Sequence, residues 1–210
     1  MAEELSLWQR VLFVDWYGVL NDDVFWSSIL ASPTHPFHER LSMACHWLFQ
    51  KQGDLVNAWM RGQVDSREII TEIEVRLDRR CLPDYLYRRL REDCRRMRMN
   101  PTLLEALKQA RRSSFVVLAT DNMDCFANEC HAIPSLDESF DEVLCSSTLG
   151  VLKSEDPEKF FGSWLEQHHL TFSQATLLDD SKLACEAFEK QGGQAILVRS
   201  PEEALEKMKG

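Results

Sequence analysis

Asp15, Thr120, Asp121, Lys153, Asp179 and Asp180 carry the groups needed to move a phosphoryl group. A carboxylate can attack phosphorus and so split one difficult displacement into two easier ones. Its repulsion by the phosphate must be removed, a task for Mg²⁺ held by one or two acidic side chains. A lysine and a hydroxyl then bind the remaining oxygens, where charge spreads in the transition state. Taken singly, each Asp or Thr reads as readily as a helix cap. Their positions single them out. Asp15 follows the apolar run VLFV at 11–14, Thr120 and Asp121 follow FVVLA at 115–119, and Asp179 closes ATLLD at 175–179 with Asp180 next. Lys153 lies in SSTLGVLKSEDPEKF, directly after EVLC at 142–145.

Those four runs, with AILV at 195–198, are continuously apolar rather than alternating, which predicts strands buried on both faces of a parallel sheet. In such sheets ligands sit at the carboxyl ends of the strands, beside the point where strand order reverses. Helical patterns lie between them: PTLLEALKQARR from Pro101, PEKFFGSWLEQHH from Pro157, KLACEAFEKQGG from Lys182 and PEEALEKMK from Pro201. Proline marks three of the starts, and Gly192 with Gly193 supplies a stop. The alternation over 100–205 predicts repeated β-α units with right-handed crossovers. Residues 22–98 contain no convincing buried strand but show helical periodicity through FHERLSMACHWLFQK, SREIITEIEVRLDRR and PDYLYRRLREDCRRM. The expected fold is therefore α/β. A Rossmann-like parallel sheet flanked by helices is built from residues 1–21 and 99–210, with an all-helical cap subdomain inserted at 22–98. Hinges are expected near Leu20 to Asp22 and Met99 to Pro101.

Four short segments resemble, in order, the motifs of the haloacid dehalogenase-like (HAD) hydrolase superfamily, and the resemblance covers nearly the whole chain. DWYGVLND is similar to the first motif, D-x-D-G-[TV]; Thr120 to the second; LGVLKSEDPEKFF to the third; and LLDDSKLACEAFEKQGGQAILV to the fourth with its following helix and glycine. The helical insert falls where that superfamily carries an α-helical cap. The resemblance implies Asp15 as nucleophile and Mg²⁺ as cofactor, held by Asp15, the backbone carbonyl of Tyr17 and the Asp179–Asp180 pair. Asp180 is the implied side-chain ligand, and Asp179 is charge-paired with Lys153. Thr120 and Lys153 would bind phosphate oxygens, with Asp121 near the metal or substrate.

Tyr17 departs from the phosphatase pattern, where a second Asp protonates the leaving oxygen and later activates water. A phenol, with a pKa of about 10 against about 4 for a carboxylic acid, is a weaker acid and a poor base at neutral pH. Alkyl phosphates should suffer most, activated phosphates less. D-x-Y-G also resembles the 2-haloacid dehalogenases, whose leaving halide needs no proton, although their second and fourth motifs differ from Thr120-Asp121 and Asp179-Asp180. Three readings stay open: a Mg²⁺-dependent phosphatase with a weakened acid–base step, a dehalogenase-like enzyme, and a catalytically impaired binding protein.

Within the insert, Arg76, Arg79, Arg80, Arg88, Arg89, Arg91, Arg95, Arg96 and Arg98 crowd one stretch. Solvated helix faces with i,i+4 pairs such as Glu92 with Arg96 explain them better than an anion-binding surface. NAWMRGQVD reads as a loop between cap helices, with Arg61 as the residue to test for substrate binding. Phe25 and Trp26 are expected to pack between cap and sheet. The six histidines show no ligand spacing. The 7 cysteines are odd in number and lack a C-x-x-C pair, which fits reduced core thiols. A net charge of -10 opposes binding to nucleic acid or anionic membranes, and no apolar run has the length of a membrane span. With no basic leader in MAEELSLWQR, the expected setting is the cytoplasm and the expected partner a small phosphorylated or otherwise activated molecule.

Overall fold

A computed structural model describes residues 10–77 and 84–209. Five parallel strands, β1 (Val11–Val14), β2 (Phe115–Thr120), β3 (Glu142–Cys145), β4 (Ala175–Asp179) and β5 (Gln194–Leu197), form one sheet in the order β3-β2-β1-β4-β5. From β1 the chain steps outward to β2 and β3, then returns to the other side for β4 and β5. Strand order thus reverses at β1, and the crevice expected to hold a ligand lies at the ends of β1 and its neighbours. Val14 stands opposite Leu118 on one side and Leu178 on the other. The residues that follow these three strands therefore emerge together.

The strand runs are apolar throughout because both sheet faces are covered. Val14, Val116, Leu118 and Leu178 pack into one cluster with Leu103 and Leu107, while Phe13, Val117, Ala119 and Leu177 pack into a second with Phe160, Phe161, Trp164 and Phe188. β5 is the exception, an edge strand whose outer residues reach solvent.

The helices between β1 and β2 are α1 (Ser27–Leu30), α2 (His38–Lys51), α3 (Gly53–Met60), α4 (Ser66–Arg76), α5 (Tyr85–Arg96) and α6 (Pro101–Ala110). Then come α7 (Asp124–Glu129), α8 (Leu136–Ser139), α9 (Ser146–Leu149), α10 (Ser163–Gln167), α11 (Lys182–Lys190) and α12 (Pro201–Lys209). Local chemistry sets several starts. Asn100 accepts from the Thr102 and Leu103 amides with Pro101 at the first helical position, and Asp65 forms a capping box with Glu68. Two expectations need correcting. Residues 57–60 of NAWMRGQVD are the last turn of α3, so the loop is only 61–65. The helix expected from Pro157 opens as a π-helix, Glu158–Gly162, before α10, placing Phe160 and Phe161 side by side in the core.

The two chain crossings between sheet and insert are tied together. Asn21 Nδ2 donates to the Arg98 carbonyl at 2.7 Å, and the Asn100 amide donates to the Leu20 carbonyl at 3.1 Å. The apolar cluster on the α6 face of the sheet continues through Trp16 and Phe126, 5.1 Å apart, into Trp26, Trp59 and Leu90 of the insert. Sheet face and insert thus share one core. Among the described residues no helix is long and apolar enough to cross a membrane. The described cysteines are buried and free, and burial pushes thiols such as Cys45 and Cys130 up to about 12. Cys81, Arg79, Arg80 and the segment up to Gln9 lie outside the described residues.

Candidate active site

Asp15 is the first residue beyond β1, and its amide still donates to the Leu178 carbonyl at 2.9 Å, so strand geometry carries through to its carboxylate. Lys153 Nζ lies 2.8 Å from Asp15 Oδ1, 2.6 Å from Asp179 Oδ2 and 3.2 Å from the Ala119 carbonyl. Those contacts account for the three donors of the ammonium. Lys153 is 2% exposed, Asp179 0% and Asp15 7%. Burial pushes the Asp15 carboxyl up from the usual carboxylate range, against the pull of the adjacent lysine. Burial alone would depress Lys153, but Asp15 and Asp179 outweigh it and hold the ammonium charged. One ammonium thus stands between two buried carboxyl groups and is shared by both.

Gly18 delivers a third carboxylate. It sits at φ +75°, and a Cβ added there would lie 2.3 Å from Asp180 Oδ2. Only glycine therefore allows the turn after β1 to pass beneath the Asp180 side chain. Carboxylate oxygens of Asp15, Asp179 and Asp180 come within 4.8 Å of one another, the one such group among the described residues. Asp179 Oδ1 accepts the Ser181 amide at 2.8 Å while Oδ2 holds the lysine. This engagement leaves Asp15 and the exposed Asp180 facing any incoming cation. An all-oxygen, net-anionic donor set fits Mg²⁺ better than a softer metal.

Thr120 ends β2 at 1% exposure, one residue beyond the carbonyl that accepts Lys153 Nζ. Asp121 turns back to accept the Lys153 amide at 3.0 Å, so it pins the lysine's loop rather than capping α7. Tyr17 is 52% exposed, on a turn closed by Gly18 N–H to the Asn21 carbonyl and by Leu20 N–H to the Trp16 carbonyl. Arg61 makes a bidentate pair with Glu155, with Nε 2.8 Å from Oε2, two residues past Lys153. The structure thus gathers Asp15, Lys153, Asp179 and Asp180 at one strand edge and sets Thr120 and Asp121 beside them. Arg61 reaches the lysine's loop, not the carboxylates.

Several polar residues that sequence reasoning passed over join insert to core. Asp124 Oδ1 accepts from Trp59 Nε1 at 3.2 Å and from the Ser66 amide at 3.1 Å. Glu129, 5% exposed, accepts from both Arg91 and Arg95. Ser146 bonds the α3 end and the loop after β2. These pairs span dozens of residues, beyond the reach of any local pattern. In the arginine-rich stretch, the expected Glu92–Arg96 pair gives way to Glu92 with Arg89 at 3.1 Å, three residues apart. Arg76 stacks 3.1 Å over the Trp47 ring, and the ring partners of Phe25 and Trp26, expected to pack between cap and sheet, are each other, Phe49 and Trp59, all within the insert.

No family model matches the sequence, and no curated protein does. Solved structures do. A HAD family enzyme from Bacteroides thetaiotaomicron, in complex with magnesium and inorganic phosphate, superposes with TM-score 0.69 at 14% identity, over 91% of this chain and 94% of that one. A predicted HAD-like family hydrolase from Porphyromonas gingivalis gives 0.70 at 14% identity, over 95% and 96%. An L-2-haloacid dehalogenase from Xanthobacter autotrophicus gives 0.66 at 17% identity, over 90% and 77%. At such identities the likeness is one of fold, and the fold of this chain is that of the haloacid dehalogenase-like hydrolases.

Proposed function

We propose that this chain is a Mg²⁺-dependent phosphohydrolase acting through a phosphoryl-Asp15 intermediate on a small phosphorylated or otherwise activated substrate. The insert at 22–98 serves as a cap on the core formed by 1–21 and 99–210. The observation that carries this reading is the buried Lys153 held between the Asp15 and Asp179 carboxyls, with Asp180 brought to their edge across Gly18. A scaffold has little reason to bury two carboxylates on one ammonium, because desolvating that set costs more than packing apolar side chains there. A cation and a bound phosphoryl group give the arrangement its use.

In this reading the free oxygen of Asp15 attacks phosphorus, Thr120 holds one non-bridging oxygen, and Lys153 holds another by giving up the Ala119 carbonyl, the longest of its three contacts. Mg²⁺ would be held by Asp15, Asp180 and the Tyr17 carbonyl, with Asp179 fixing Lys153 alongside, and it would offset the charge of carboxylate and phosphate together. A structural neighbour crystallised with magnesium and inorganic phosphate supports Mg²⁺ and a phosphoryl group as what the site takes. Tyr17 offers no carboxyl to the leaving oxygen. Turnover is therefore expected for acyl and aryl phosphates, whose leaving groups depart without a proton, and is expected to be weak for alkyl esters. Two observations favour a second reading: the D-x-Y-G turn and the fold likeness to an L-2-haloacid dehalogenase. Against it, the adjacent Asp179 and Asp180 repel a haloacid carboxylate.

Purified protein assayed with acetyl phosphate, an aryl phosphate, alkyl phosphates and 2-chloropropionate, with and without Mg²⁺, separates the readings. The expected outcome is Mg²⁺-dependent hydrolysis of the activated phosphates that disappears in Asp15→Asn. Metal-independent chloride release would establish the dehalogenase, and bound Mg²⁺ with no turnover a binding protein. Tyr17→Asp is expected to raise alkyl phosphatase activity by about 10²-fold, the lower end of what a general acid–base group contributes.

A further inference from the structure

Ser146 stands outside the residues assigned above and is fully buried. Its single hydroxyl joins three parts of the chain. Oγ accepts the Asn122 amide at 2.9 Å and donates to the Met60 carbonyl, the end of α3, at 2.6 Å. The Asn122 carbonyl, at 3.3 Å, is the weaker of its two acceptors and already receives Cys145 Sγ at 3.2 Å. The Met60 end of the insert is seated hard against this point. Gly62, at φ +67°, passes so close that a Cβ there would lie 2.3 Å from the Ser147 carbonyl.

We propose that Ser146 is a positioning residue that couples the seating of the insert to the shape of the loop following Thr120. This rests on the reading that Thr120 and its loop hold the phosphoryl group. With the α3 end docked, the hydroxyl proton goes to Met60 and the oxygen fixes the Asn122 amide, so the backbone after Thr120 is held from behind. If the α3 end withdraws, the hydroxyl loses its shorter acceptor and turns to the Asn122 carbonyl. The same loop then relaxes. Arg61 with Glu155, and Asp121 with the Lys153 amide, carry the same docking to the lysine's loop. Seating the insert thus sets both loops that face the phosphoryl group.

The test combines amide hydrogen exchange with Mg²⁺-dependent binding of inorganic phosphate, on the full chain. Ser146→Ala is expected to speed exchange at Asn122 and across 61–64 together, and to weaken phosphate binding about tenfold, the effect of one buried hydrogen bond. Gly62→Ala leaves the hydroxyl intact and pushes the insert off from the other side, so it should reproduce both effects even if the serine variant folds poorly. Glu129→Gln, which loosens α5 from α7, should leave Asn122 exchange unchanged. Faster exchange confined to one of the two segments, or unaltered phosphate affinity in both variants, overturns the coupling. A wild-type protein that binds no phosphate at any Mg²⁺ concentration would overturn the phosphohydrolase reading instead, while exchange still decides the coupling.

Discussion

Two clusters in this molecule pair guanidinium or ammonium groups with carboxylates, and they are built in opposite senses. At the ends of β1 and β4 one buried lysine serves two buried carboxyl groups in a site shielded from water. Between α5 and α7 two arginines, 41% and 48% exposed, serve one buried carboxylate, and the excess positive charge lies in solvent. Water screens an unbalanced charge cheaply at the surface and poorly inside. The arginine cluster is therefore complete as it stands and works as a fastener. The lysine cluster has more carboxyl groups than cations, with Asp180 at its edge, and this is what the phosphohydrolase reading draws on.

Removing the cation from each cluster should show the difference, with the largest effect at the buried one. Lys153→Met leaves Asp15 and Asp179 facing each other with no counter-charge and should cost about 3–5 kcal/mol, much of a typical domain's stability. It should also abolish turnover, and Mg²⁺ should restore part of the urea midpoint by taking the lysine's place. An unshifted midpoint would mean that both carboxyls become neutral once the lysine is gone and that no buried charge is stranded.

Gly18→Ala comes next, since it disturbs the same cluster without removing a charge. The added methyl must displace Asp180, and φ +75° is costly for alanine, so about 1–3 kcal/mol of stability and at least about tenfold in Mg²⁺ affinity should be lost. Titration calorimetry reads the second effect. Unchanged Mg²⁺ affinity would take Asp180 out of the metal site.

The lysine cluster was legible in the sequence because each of its members follows an apolar run, and strand ends in a parallel sheet are a fixed place. Asp15, Thr120 and Asp179 needed only the runs VLFV, FVVLA and ATLLD to be located. The fastening cluster was not legible. Arg91 and Glu129 are 38 residues apart, Ser66 and Asp124 are 58, and nothing local distinguishes Arg91 and Arg95 from the solvated arginines beside them. Nothing local marks α3, which is short and opens on Gly53 with no side-chain cap. α7 carries no local mark either, because Met123, through its sulfur, stands where a Ser, Thr, Asp or Asn would mark a start. What followed from periodicity could be read, whereas what followed from docking had to be seen.

The smallest effect should come from neutralising the fastener. Glu129→Gln keeps the shape of the side chain and leaves two arginines that water can reach, so a cost of about 1–2 kcal/mol is expected rather than the several that follow from stranding a buried charge. Its dependence on pH identifies the cause. Burial pushes the Glu129 carboxyl up, but the hydrogen bonds from Arg95 and Arg91 outweigh it and hold the carboxyl below the usual glutamate range. A depressed folded-state value means that the charged form stabilises the fold above the unfolded-state value and that this contribution is lost as pH falls through the folded one. Urea midpoints of wild type and Glu129→Gln should therefore differ by a constant amount at neutral pH and converge below about pH 4. A difference that persists into acid would show that Glu129 holds α5 by packing and not by charge, and the contrast between the two clusters would reduce to one of burial alone.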